Sequence, residues 1–182
     1  MRRLRTGSAC FVVTIMILSF AWRLPGAPVL PRPEKVPDKA MSLANLERVR
    51  LEILPLTPDA LGLGLTQEQL RDAWKNHLEA AEVTVVDDEE APKLSLHLKV
   101  LADRNEGDHF AYGLFMTLEQ EVQVVRLDRT LVVPTYVANV LGIESEANIR
   151  EDLTSLTSFM ARKFMRQLEE ATAQAEREAD AE

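Results

Sequence analysis

Leu94, Leu96, Leu98 and Val100 alternate with Ser95, His97 and Lys99. Only an extended strand sends successive side chains to opposite faces, so this run predicts a sheet buried on one side and wet on the other. The same period occurs earlier, where Val49, Leu51 and Ile53 alternate with Arg48, Arg50 and Glu52 before Pro55 and Pro58 end the strand. A short strand is expected at Val83–Val86. Downstream, Phe110, Tyr112, Leu114, Met116 and Leu118 share a face that Val122 and Val124 continue, so a long strand runs from about Phe110 to Leu127. A last strand spans Leu131 to about Val140. Pro134 inside it cannot donate to a ladder, which predicts an edge position or a bulge.

Two segments change to the helical period. Gly62 and Gly64 lead into Thr66, an N-cap whose capping box is completed by Gln69, with Leu65 and Leu70 as the hydrophobic staple. The helix Gln67–Ala81 places Leu70, Ala73, Trp74, Leu78 and Ala81 on one face. The second helix spans Glu146 to Glu170, where Ile149, Leu153, Leu156, Met160, Phe164 and Leu168 recur at three- and four-residue steps. The order β-α-β-β-β-β-α, with consecutive strands joined by hairpins, predicts an α+β two-layer sandwich. Its sheet is mainly antiparallel with four to five strands, and both amphipathic helices cover one face. The other sheet face is more polar, or meets something.

The N-terminus constrains location. Arg2, Arg3 and Arg5 precede an uncharged stretch from Thr6 to Trp22. A basic start followed by a short apolar run is the pattern of a signal peptide or N-terminal membrane anchor. Residues 6–22 would form a helix of roughly 25 Å, against about 30 Å of hydrocarbon. A cleaved signal and a retained, slightly short anchor both fit, as does a start at Met41. Basic charge before the apolar run sends the following domain across the membrane, into the periplasm or beyond, tethered to the inner membrane if the segment is retained. The organisation expected is therefore residues 1–27 as signal or anchor, 28–44 as a proline-rich linker, 45–170 as one domain and 171–182 as an acidic flexible tail. Pro25, Pro28, Pro31, Pro33 and Pro37 recur in and before the linker without apolar periodicity.

Charge and residue inventory exclude several chemistries. Net charge is −8. Residues 1–27 hold four arginines and no acid, so removing them leaves −12. Nucleic-acid binding requires a basic face and is disfavoured. Cys10, the lone cysteine, begins the apolar run, whereas a lipoprotein signal places its cysteine behind it; no disulfide is available. His77, His97 and His109 lack metal-ligand spacing. Gly62 and Gly64 do not extend to a dinucleotide fingerprint, and no phosphate-binding Gly-Lys-Ser/Thr exists. Asp103, Asn105, Gly107 and Asp108 read as a polar hairpin turn, since a calcium loop needs glycine one position later and a glutamate where Leu114 stands. The cluster Asp87–Glu90 reads as a solvated loop. Ser42, Ser95, Ser145, Ser155 and Ser158 lack a nucleophile-elbow setting. The expectation is no catalytic, cofactor-binding or metal-binding residue, and no cofactor.

Gly-Leu-Thr-x-Glu-x-Leu at 64–70, followed by residues 78–85, the strand 94–100 and Glu119-Gln-Glu-Val122, resembles uncharacterised exported bacterial α+β proteins over roughly residues 45–168. The element order is similar to small envelope lipoproteins of the lipopolysaccharide-assembly plug and transport-auxiliary type. That similarity lies at the level of fold and carries no functional residue across. The missing lipidation cysteine is a departure from them. Two function classes follow. One is a non-catalytic exported or membrane-tethered envelope module that uses a sheet face or edge, with Leu131–Tyr136 as a possible handle, for an unknown envelope protein or lipid. The other is a small-ligand binder or enzyme with a pocket between sheet and helices, near Trp74, His97, Tyr112 and Tyr136.

Overall fold

The computed structural model describes residues 35–103 and 108–181. The signal or anchor at 1–27, the apolar segment 6–22, Cys10 and most of the proline-rich stretch lie outside the described residues. So does the centre of the 103–108 turn. Among the described residues no helix is long and apolar enough to cross a membrane.

Five strands form one sheet: β1 (Arg48–Ile53), β2 (Thr84–Val85), β3 (Lys93–Ala102), β4 (His109–Val124) and β5 (Arg129–Ser145). Their order is β2-β1-β3-β4-β5. Among the described residues four helices accompany them: α1 (Asp38–Met41), α2 (Pro58–Gly62), α3 (Gln67–Ala80) and α4 (Ile149–Ala179). The α+β class agrees with the sequence reading, but the sheet is mixed. β1 lies between β2 and β3 and is parallel to both, while β3-β4-β5 is an antiparallel meander. The β1-α3-β2 passage is the reason, because a helical crossover returns the chain in its original direction.

The alternation is realised as expected. Val49, Leu51, Ile53, Leu94, Leu96, Leu98, Val100, Leu114, Met116 and Leu118 all point into the core, where they meet Trp74 and Leu78 of α3 and Leu153, Met160 and Phe164 of α4. Full burial of each such side chain is worth about 1.5–3 kcal/mol. The Thr66 hydroxyl accepts from the Gln69 amide at 3.1 Å, and Gln69 Oε1 accepts from the Thr66 amide at 3.1 Å, so the capping box is closed. Thr57 ties α2 to the sheet: its hydroxyl donates to the Val100 carbonyl at 2.7 Å and accepts from the Val100 amide at 3.1 Å.

Two segments differ from their sequence reading, and they differ together. Residues 35–44 follow prolines and lack a long apolar period, yet Ala40 and Leu43 are completely buried, as is most of Val36. The segment expected as a frayed tail continues α4 to Ala179, with Ala171 and Gln174 buried. Each covers the other. The Val36 amide donates to Gln174 Oε1 at 2.8 Å inside this contact, and the Asn45 amide donates to the Thr172 hydroxyl at 3.0 Å.

β4 and β5 are longer than the rest of the sheet. β3 begins with Lys93 opposite Glu119, so β4 beyond that point pairs with β5 alone. The two strands form a projecting ribbon, closed by a 3₁₀ turn at Val125–Leu127 and by Asp128 in the left-handed region at φ 48°. Register shifts at Leu118/Glu119, where Thr135 is the extra residue beside Pro134. Both positions expected for Pro134 are realised at once: edge strand and bulge. At the bulge the Ser42 hydroxyl donates to the Thr135 carbonyl at 3.2 Å, and the Thr135 hydroxyl donates to Gln120 Oε1 at 2.6 Å.

Candidate interaction surface

The two edges of the sheet have opposite character. β2 contributes two residues and runs into the acidic loop, where Asp88 pairs with Arg48 at 3.3 Å and accepts the Glu90 amide at 3.0 Å. A very short, charged edge is blunted against strand addition. β5 is 17 residues long and, among the described residues, is paired on one side only. Its residues Thr130 to Ile143 include no charged side chain. Pro134 and the bulge interrupt the half near the ribbon. From Tyr136 to Ser145 the ladder with β4 is unbroken, so that half presents a regular open edge.

The sheet face away from the helices grades from polar to apolar toward this edge. Reading across β3, β4 and β5, the outward rows are Lys93–Glu119, Ser95–Thr117–Val137, His97–Phe115–Asn139, Lys99–Gly113–Leu141 and Leu101–Ala111–Ile143. On the β3 side, Lys93 holds Glu119 at 2.7 Å, and this hydrogen bond raises its pKa above the ordinary value. Lys99 lies 5.9 Å over the Phe115 ring, and the His97 ring lies 6.5 Å from it. Burial against the sheet, with Lys99 beside it, holds His97 below its usual pKa, favouring the neutral ring. On the β5 side, Leu141 and Ile143 are 66% and 73% exposed, and Val137 is also exposed. Gly113 lies beneath the Leu141 and Phe115 side chains, which occupy the space of its absent Cβ.

The four residues named for a pocket are not brought together. Trp74 is fully buried, edge-on to Phe164 at 6.4 Å, and its indole N–H has no acceptor among the described residues. Tyr136 also packs edge-on against Phe164, at 5.6 Å, with its hydroxyl on Gln167. Tyr112 lies nearer the start of α4, donating to Asp152 at 2.7 Å; this bond, with burial, raises its pKa to about 12. His97 is on the opposite sheet face. A cleft of about 380 Å³ does open between the start of α3 and the first turns of α4, walled by Leu63, Leu70, Leu98 and Leu153. Arg150 is the one charged side chain lining it, so it offers apolar space and no acid–base pair. Among the described residues no group of three or more histidines and carboxylates could hold a metal.

Sequence reasoning placed the handle at Leu131–Tyr136, whereas the regular open edge lies just beyond, at Tyr136–Ser145. The available signal was the absence of charge through Ile143.

No protein-family model and no curated protein sequence matches the chain. Solved structures similar to it include a minor lipoprotein from Acinetobacter baumannii, at 15% identity and a TM-score of 0.37, covering 69% of this chain and 92% of that one. Another is the rare lipoprotein B from Shewanella oneidensis, at 16% identity and a TM-score of 0.33, covering 74% and 98%. Both are lipoproteins, the kind of protein whose element order this sequence resembles. At these scores the likeness carries no site, partner or activity to this chain.

Proposed function

We propose that this chain is a non-catalytic, extracytoplasmic interaction module that takes up an extended segment of a partner protein along β5. The observation that carries the reading is the open half-edge Tyr136–Ser145, uncharged as far as Ile143 and bearing the exposed Val137, Leu141 and Ile143. An added strand gains main-chain hydrogen bonds from the edge, and its alternate side chains rest against the apolar row. Charge or extreme shortness normally protects such an edge, and β2 is two residues long with an acidic loop directly after it. The basic and apolar N-terminal pattern supports placing the domain outside the cytoplasm.

The test is site-specific photocrosslinking in the native envelope, with the crosslinker at Val137 or Ile143 and a control at Lys75 on the exposed side of α3. Adducts to one partner are expected from β5 alone. With the crosslinker at Val137, the double variant Leu141→Lys, Ile143→Lys removes them while leaving stability within about 0.5 kcal/mol, because both side chains are exposed. Equal labelling from Lys75, or adducts that survive the double variant, would sink the proposal.

A further inference from the structure

The projecting β4–β5 ribbon is a second exposed apolar feature, separate from the half-edge at Tyr136–Ser145. Inward-facing Leu118 is followed, by strand alternation, by Gln120, Val122 and Val124 on the same face. Val133, Leu131 and Arg129 lie opposite them. Beyond buried Leu118 and the polar Gln120, this face therefore continues into a stretch where Val122 and Leu131 are exposed. The other face of the ribbon carries Val132, 65% exposed, opposite Glu121. At the tip Val125 is 85% exposed and Leu127 53%.

Apolar side chains thus leave the ribbon on both faces and at its end. A groove in a partner protein would cover one face of a ribbon. A lipid interface surrounds it. The charges agree: Arg126 and Arg129 flank the tip against the single acid Asp128, in a chain of net charge −8. Basic residues beside inserted apolar ones are the pattern of peripheral attachment to an anionic bilayer. We propose that the ribbon tip Val124–Leu131 inserts into the interface of an anionic phospholipid membrane, with Val125 and Leu127 entering the acyl boundary and Arg126 and Arg129 meeting lipid phosphates.

The test uses the full chain with Cys10→Ser and an environment-sensitive fluorophore on Val125→Cys. A second protein carries the fluorophore on Glu79→Cys, far along the sequence on the exposed side of α3. Both are mixed with vesicles of phosphatidylcholine containing one-third phosphatidylglycerol and a nitroxide-labelled lipid. Quenching at position 125 is expected to exceed that at 79 several-fold. This comparison stays decisive even if residues 6–22 hold the chain to the vesicle, since that tether leaves both probes attached to the same molecule. Arg126→Gln with Arg129→Gln should weaken tip insertion about twenty-five-fold, from roughly fivefold per basic residue. Leu127→Asp should remove it. Equal quenching at 125 and 79 overturns the proposal, as does tip quenching unaffected by Leu127→Asp. A tip that is shielded only when a partner protein is added, and not by vesicles, also overturns it.

Discussion

Replacing Leu43 with alanine separates a folded segment from a linker. Leu43 would be exposed to solvent in a linker and is completely buried in this structure, in the same core cluster as Ala40 and Ala171 of α4. Leu→Ala at such a site loses transfer energy and leaves part of a cavity, which together cost about 3 kcal/mol. With a urea dependence of about 2 kcal/mol per molar, the unfolding midpoint should fall by roughly 1.5 M. Lys39→Ala, on an exposed position of the same short helix, should change stability by less than about 0.5 kcal/mol. Gln174→Ala supplies the reciprocal measurement from α4. It strands the buried Val36 amide, at a cost of about 1–3 kcal/mol. Equilibrium urea unfolding followed by circular dichroism measures all three. If Leu43→Ala costs under about 1 kcal/mol and cannot be told from Lys39→Ala, the mutual covering of residues 35–46 and the end of α4 is refuted.

Other consequences follow from single contacts. Tyr112 should titrate near 12, followed by its ultraviolet absorbance, and Asp152→Asn should bring it down toward the ordinary value near 10. The folded pKa is raised, so the contribution to stability is full below the unfolded pKa and disappears as pH rises through the folded one. Gly142→Ala should produce the same fall in the Tyr112 pKa and cost about 1–3 kcal/mol, because a Cβ at 142 overlaps the Tyr112 ring and displaces it from Asp152. Glu82 holds φ 62° just after α3, so Glu82→Gly should raise stability by about 0.5–1 kcal/mol in the same urea assay. Glu119→Gln should lower stability by about 0.2–1 kcal/mol, with the difference shrinking in high salt, since its pair with Lys93 is partly exposed.

The local patterns were legible wherever one element's burial follows a simple period. Leu94 to Val100 and Ile149 to Leu168 are buried in the positions their spacing predicts. The capping box at Thr66 and Gln69 is a contact between neighbours three residues apart, and it forms as read. The candidate surface was half legible. The lack of charge through Ile143 and the edge-seeking Pro134 are in the sequence, but the continuation of β5 to Ser145 depends on the matching length of β4. The pocket residues were misleading because aromatic side chains separated by tens of residues can meet the same Phe164, as Trp74 and Tyr136 do, without enclosing space.

By itself the sequence determined the α+β class, the two amphipathic helices, the wet and dry strand faces and the absence of recognisable catalytic motifs. Each follows from side-chain chemistry repeated at the local period of a strand or helix. Tertiary structure alone decided that β1 runs parallel to β3 and that residues 35–46 close the core against the end of α4. It also decided that β5 is left open while β2 is blunted. Those outcomes depend on which distant surfaces find each other, and no local period encodes a pairing such as Val36 with Gln174, 138 residues apart.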